Sequence, residues 1–137
     1  MKIKLDPGAI TPTRAHPTDA GLDLYCREDI RVWPESPAVF DTGVHIELPP
    51  GYYGKIESKS GLNVKYDIVA CGGVIDEGYT GGIIVKLYNL GRRIHDFKAG
   101  DKIAQLIIQP YAAPELEVVD ELTETDRGSL GFGSTGR

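Results

Sequence analysis

The chain has 137 residues and a formal net charge of −5: one domain with a single core, and the wrong sign for a general nucleic-acid surface. A hydrophobic share of 41% fits a globular protein, and no apolar run approaches the roughly 20 residues of a membrane span. Two cysteines, Cys26 and Cys71, are too few for a disulfide framework, and no CxxC or HExxH spacing gathers them with His16, His45 and His95 into a metal site.

The opening "MKIKLDPGAI" lacks the apolar centre of a secretory leader. The expected location is the cytoplasm, or the host cytoplasm for a viral source. Glycine (17) and proline (9) punctuate short apolar stretches throughout, the pattern of an all-β sandwich or barrel. "AVFDTGVHIELPP" alternates with period two, Val44, Ile46 and Leu48 on one face and His45 and Glu47 on the other, and stops at Pro49-Pro50-Gly51. "YYGKIES" is the next predicted strand. "SGLNVKYDI" is the one stretch that suits a short helical turn, with Ser60 as its N-cap. "IIVKLYNL" and "KIAQLIIQP" are β-branched runs expected to be buried on both faces, and "ELEVVDEL" is a weaker, partly exposed strand. Residues 127–137, "RGSLGFGSTGR", follow the last strand and are expected to form an arm rather than core.

Several stretches hold more chemistry than strands and turns require. In "GGVIDEGYTGG" (72–82), Asp76 ends an apolar run before a turn. It either caps that turn or orients and deprotonates a water. Tyr79 either packs in the turn or lies flat against a sugar, where it would exclude an extra hydroxyl. The incoming arm, "IVACGGVID", can read a flat base through main-chain groups around Gly73, Val74 and Ile75, with Gly72 and Gly73 permitting close approach. In "IESKSGLNVK" (56–65), Lys59, Ser60 and the Gly61 amide suit an anion. Asp23 in "TDAGLDLY" (18–25) and Gln105 in "AGDKIAQLIIQP" (99–110) read as plain strand residues when taken alone. The arm combines Arg127, Phe132, Gly133, Ser134 and Thr135, a mixture able to stack on a base and surround a phosphate.

The order and spacing of these segments, with "VIDEGYTG" and "GFGSTG" nearly intact, resemble the trimeric dUTPase family from about residue 18 to the end. The resemblance implies a distorted jelly-roll, or β-clip, sandwich: residues 1–126 as the β domain and 127–137 as a flexible arm closing over the active site. It implies hydrolysis of dUTP to dUMP and pyrophosphate by water attack on the α-phosphorus. Asp76 would hold that water, and Asp23 would contact Mg²⁺ through a coordinated water. Lys59, Ser60, Gly61, Gly73, Val74, Ile75, Tyr79, Gln105, Arg127, Phe132, Gly133, Ser134 and Thr135 would bind substrate. Three sites would lie at the subunit boundaries of a homotrimer, with no nucleic-acid or membrane partner. Two departures stand out. Lys59 replaces the family's usual arginine, a point charge in place of a planar fork, and Ala70 stands where many relatives have asparagine. A dCTP deaminase of the same fold needs a glutamate where this chain has Lys86. A non-catalytic nucleotide sensor would not need both Asp76 and the arm.

Overall fold

The computed structural model describes residues 1–129. Eleven strands and one helix follow in chain order: β1 (Lys2–Leu5), β2 (Gly21–Tyr25), β3 (Ile30–Val32), β4 (Ser36–Asp41), β5 (Val44–Glu47), β6 (Tyr52–Glu57), α1 (Ser60–Tyr66), β7 (Ile68–Ala70), β8 (Val74–Ile75), β9 (Ile84–Asn89), β10 (His95–Phe97) and β11 (Lys102–Pro110). The all-β class expected from the sequence is correct.

The larger sheet runs β2-β11-β6-β8 and a second runs β4-β9-β7, with β1-β5 and β10-β3 as two-stranded ribbons. Every paired strand in them is antiparallel. Both larger sheets contribute to one core. Leu24, Ile56, Ile75 and Leu106 come from the first, and Phe40, Ile68, Val85 and Leu87 from the second. Phe40 meets Phe97 edge to face, ring centroids 5.3 Å apart at 83°, an arrangement favoured by the ring quadrupoles.

β11 is central, and the consecutive Ile103 and Ala104 are both buried, as expected of a strand covered on both faces. β9 is different. Val85 and Leu87 are buried while Ile84 and Lys86 are exposed, so this strand covers the core with one face only. The helix also starts differently from expectation. The cap position belongs to Lys59, which makes no side-chain cap bond, and Ser60 is already the first helical residue. At its end Asp67 takes a left-handed conformation (φ 55°) and its N–H reaches the carbonyls of Asn63 and Leu62.

Residues 112–119 form no strand. Leu116 is 94% and Val118 99% exposed, so "ELEVVDEL" carries a strand pattern that joins no sheet among the described residues.

Candidate functional site

One end of the larger sheet concentrates charge. Register sets Asp23 of β2 opposite Gln105 of β11, and Gln105 opposite Glu57 of β6. Asp23 is only 6% exposed. Lys59 Nζ donates to its Oδ1, and Lys102 Nζ donates to its Oδ2 at 2.7 Å. Burial is the largest influence on this carboxyl and acts upward; the hydrogen bonds and charges of Lys102 and Lys59 together outweigh it and hold the group below its ordinary range. The carboxylate in turn raises Lys102. Gln105 Nε2 donates to the Ser58 carbonyl at 3.0 Å, tying β11 to the chain entering α1. Gly21 is required beside it, since a Cβ there would lie 2.2 Å from Gln105 Oε1. The cluster carries two ammonium ions against one carboxylate, with Ser60 and Gly61 in the adjoining first turn. It suits an anion.

The second group of residues lies on the connection from β7 to β8 and the turn that follows; β7 pairs with β9 and β8 with β6, so the two strands belong to different sheets and make no hairpin. Gly72 takes φ 76° and Gly73 φ 148°, conformations that side chains disfavour, and a Cβ on Gly73 would press on Ile56 at 3.1 Å. The Gly73 carbonyl accepts the Ile56 N–H at 2.9 Å and the Cys71 N–H reaches the Lys86 carbonyl at 2.8 Å. Val74 is exposed while Ile75 is buried. Asp76 follows, in a turn closed by the Tyr79 N–H on its own carbonyl at 3.0 Å. Tyr79 folds back on this turn. Its hydroxyl donates to the Gly82 carbonyl at 3.0 Å, its ring leaves no room for a Cβ on Gly81, and 46% of it stays exposed as a flat wall. Glu77 anchors the turn by accepting from the Gly51 N–H (2.8 Å) and the Tyr111 hydroxyl (2.7 Å). Those two bonds, the first the stronger, hold its carboxyl below the ordinary range. A pocket lined by Tyr53, Val74, Asp76, Glu77, Gly78 and Tyr111 opens here.

The two groups stand far apart. β8 pairs Ile75 with Gly54, which sets Asp76 beside Tyr53, whereas the Asp23 layer meets β6 at Glu57. Four residues along the strands and three strand spacings across the sheet amount to on the order of 19 Å. That exceeds the length of a triphosphate chain. Arg127 lies in a turn over residues 126–129, and Phe132, Gly133, Ser134 and Thr135 fall outside the described residues.

Two contributors escape a reading of the sequence. Ser58 Oγ accepts the Ala70 N–H at 2.8 Å, joining the end of β7 to the helix entry at the position that lacks asparagine. Lys102 faces Asp23 only because β11 and β2 pair out of step there, the register shifting between Lys102 and Ala104. A serine and a lysine near motifs are too common to signal either role.

His45 supports the segment that leads from this turn to β9. Nδ1 lies 3.0 Å from the Thr80 carbonyl and Nε2 3.2 Å from Asp6 Oδ2. Both partners are acceptors, so only the imidazolium donates to both. The Thr80 bond first and Asp6 second raise its pKa. A raised folded-state pKa stabilises fully below the unfolded value of about 6.5 and ceases to do so as pH rises through the folded value. The thermal midpoint gap between the parent and His45→Ala is therefore expected to narrow as pH increases from below that value to above it. A gap independent of pH would mean that the ring acts by packing alone.

A β-sandwich with an end suited to an anion and a separate glycine-lined turn bearing a carboxylate has the parts of a phosphoanhydride-cleaving protein: charge to neutralise and a base to aim water. The model of the dUTPase family matches residues 8–136. The deoxyuridine 5′-triphosphate nucleotidohydrolase of Mus musculus is 43% identical over 135 residues, 98% of this chain and 83% of that protein. The dUTPase of Staphylococcus bacteriophage 80alpha, in a mutant solved with dUpNHpp, superposes with a TM-score of 0.89 at 32% identity, covering 99% of this chain and 98% of that one. A mutant dUTPase of S. aureus phage phi11, which coordinates a structural Mg(II) ion, superposes at 0.82 with 31% identity, covering 88% and 96%. The chain belongs to the dUTPase family.

Proposed function

We propose that the chain hydrolyses dUTP to dUMP and pyrophosphate, limiting uracil incorporation into DNA and supplying dUMP for dTMP synthesis. The observation that carries this reading is the family match across residues 8–136 together with the Asp76–Tyr79 turn. Asp76 accepts the proton of a water aimed at the α-phosphorus, Tyr79 stacks on the deoxyribose, and main chain from Gly73 to Ile75 pairs with the uracil edge. Lys59, Ser60, Gly61 and Gln105 receive the phosphates. Arg127, Phe132, Gly133, Ser134 and Thr135, in an arm of residues 127–137, close over base and γ-phosphate.

Among the described residues no group of His, Cys, Asp and Glu forms a metal cage, and Asp23 stands alone with both oxygens already in hydrogen bonds. That donor set fits Mg²⁺ arriving on the substrate's phosphates and touching Asp23 through water, the usual habit of this ion. When bound it neutralises charge on the departing pyrophosphate.

The separation of the two groups supports a shared site. One copy supplies Asp23, Lys59, Ser60 and Gln105, a second supplies Asp76 and Tyr79, and a third its arm, as in a homotrimer. Exposed Leu116 and Val118 support the same reading, since a strand-patterned stretch without a sheet gains one from another copy. No helix among the described residues is long and apolar enough to cross a membrane.

Pyrophosphate release from dUTP with Mg²⁺, set against dTTP, dCTP and UTP, tests the activity. Ammonia from dCTP would instead indicate the deaminase, which Lys86 on the exposed face of β9 disfavours. Complementation tests the shared site. Asp76→Asn and the double variant Asp23→Asn/Lys59→Ala are each expected to be inactive. Co-refolded in equal amounts, they should regain about one-quarter of parental activity, because half the sites draw an intact phosphate end and half of those an intact base. No recovery would place the whole site within one chain.

A further inference from the structure

The Asp23 cluster holds one more cation than its carboxylate needs, and the family reading uses only Lys59. We infer that Lys102 is a positioning residue that releases Lys59 for the substrate: it keeps Asp23 paired when Lys59 turns to a phosphate oxygen. This inference rests on the proposed dUTP hydrolysis.

Asp23 is sealed into the sheet, with the Thr13 carbonyl on its N–H at 2.7 Å and Gln105 and Leu24 as neighbours. A buried carboxylate deprived of its only partner is strongly disfavoured. With a single lysine, the phosphate would have to win that lysine from the carboxylate against this penalty, and Lys59 would stay on Asp23. Lys102 removes the conflict because it reaches the other oxygen, Oδ2, from the opposite strand. The two lysines are not equivalent. Lys59 directly precedes α1, beside Ser60 and Gly61. Lys102 begins β11, and its side chain is the more exposed of the two. A lysine at position 59 makes the second cation more useful, since an ammonium, although it has three donors, is a single point charge that bridges carboxylate and phosphate with less geometric control than a planar guanidinium fork.

The test is calorimetric binding of the non-hydrolysable analogue dUpNHpp, alongside dUTP kinetics, in the parent, Lys102→Gln, Lys102→Arg, Asp23→Asn and Asp23→Asn/Lys102→Gln. Lys102→Gln should weaken analogue binding by about 10- to 100-fold, or 1.4 kcal/mol per decade, and raise KM more than it lowers kcat. Lys102→Arg should restore binding. In the Asp23→Asn background, where no carboxylate needs a partner, loss of Lys102 should cost little. Equal cost in both backgrounds would mean that Lys102 grips phosphate itself and would overturn the inference, as would parental binding by Lys102→Gln. The parent protein supplies a second measurement should Lys102→Gln not fold. On analogue binding the side-chain ammonium NMR signal of Lys59 should shift while that of Lys102 holds; the reverse pattern overturns the inference. A parent that neither binds dUpNHpp nor cleaves dUTP overturns both readings. A parent that does both while Lys102→Gln matches it overturns this one alone.

Discussion

Asp76→Asn is expected to lower kcat for dUTP by about 10²- to 10⁴-fold, the usual share of a positioned base, with dUpNHpp binding and assembly retained. Asparagine keeps the size and the acceptor oxygen of aspartate but takes no proton from a water. The fold around the position does not depend on the carboxyl. The turn is held by the Tyr79 N–H on the Asp76 main-chain carbonyl, by Glu77 on Gly51 and Tyr111, and by Ile75 in the core. None of these contacts uses the Asp76 side chain. Single-turnover pyrophosphate release separates the chemical step from binding. Turnover at the parental rate would remove Asp76 from the reaction.

Phe40→Ala is expected to cost about 3–5 kcal/mol, against a typical domain stability of about 5–15 kcal/mol. Phe40 is 1% exposed, lies opposite Val85 across the β4–β9 pair, and meets the Phe97 ring edge on. Its removal takes both a large apolar surface and an aromatic contact from the place where β4 and β10 meet, and sheets on either side cannot collapse into the gap without breaking register. Urea unfolding at fixed chain concentration measures the loss, since association adds a concentration-dependent contribution to apparent stability. A loss below about 1 kcal/mol would show that neighbouring side chains refill the space.

The sequence was most legible where local rules and burial agree. Alternation at Val44, Ile46 and Leu48, the Pro-Pro-Gly stop and the apolar runs of β9 and β11 all mark strands that the fold contains. Two-sided burial of β9 was misread because Ile84 is apolar yet exposed, and hydrophobicity alone does not say which face a strand covers. "ELEVVDEL" was misread because alternating apolar residues do not by themselves supply a neighbouring strand, and among the described residues none pairs with it. Ser60 has the chemistry of a cap, but the chain enters the helix one residue earlier, at Lys59. The Asp76 turn stood out through its motif, whereas the pairing of Lys102 with Asp23 depends on long-range strand register and has no local mark. The distance between the two halves of the site is likewise a property of register and sheet order, invisible before the strands are placed.

The bare Leu116 and Val118 have a cellular consequence. In the proposed assembly a newly synthesised copy displays this strip until other copies cover it, so scarcity itself is a hazard to it: dilute chains should be the ones that proteases trim or chaperones retain. The integrity of this protein then tracks its own abundance.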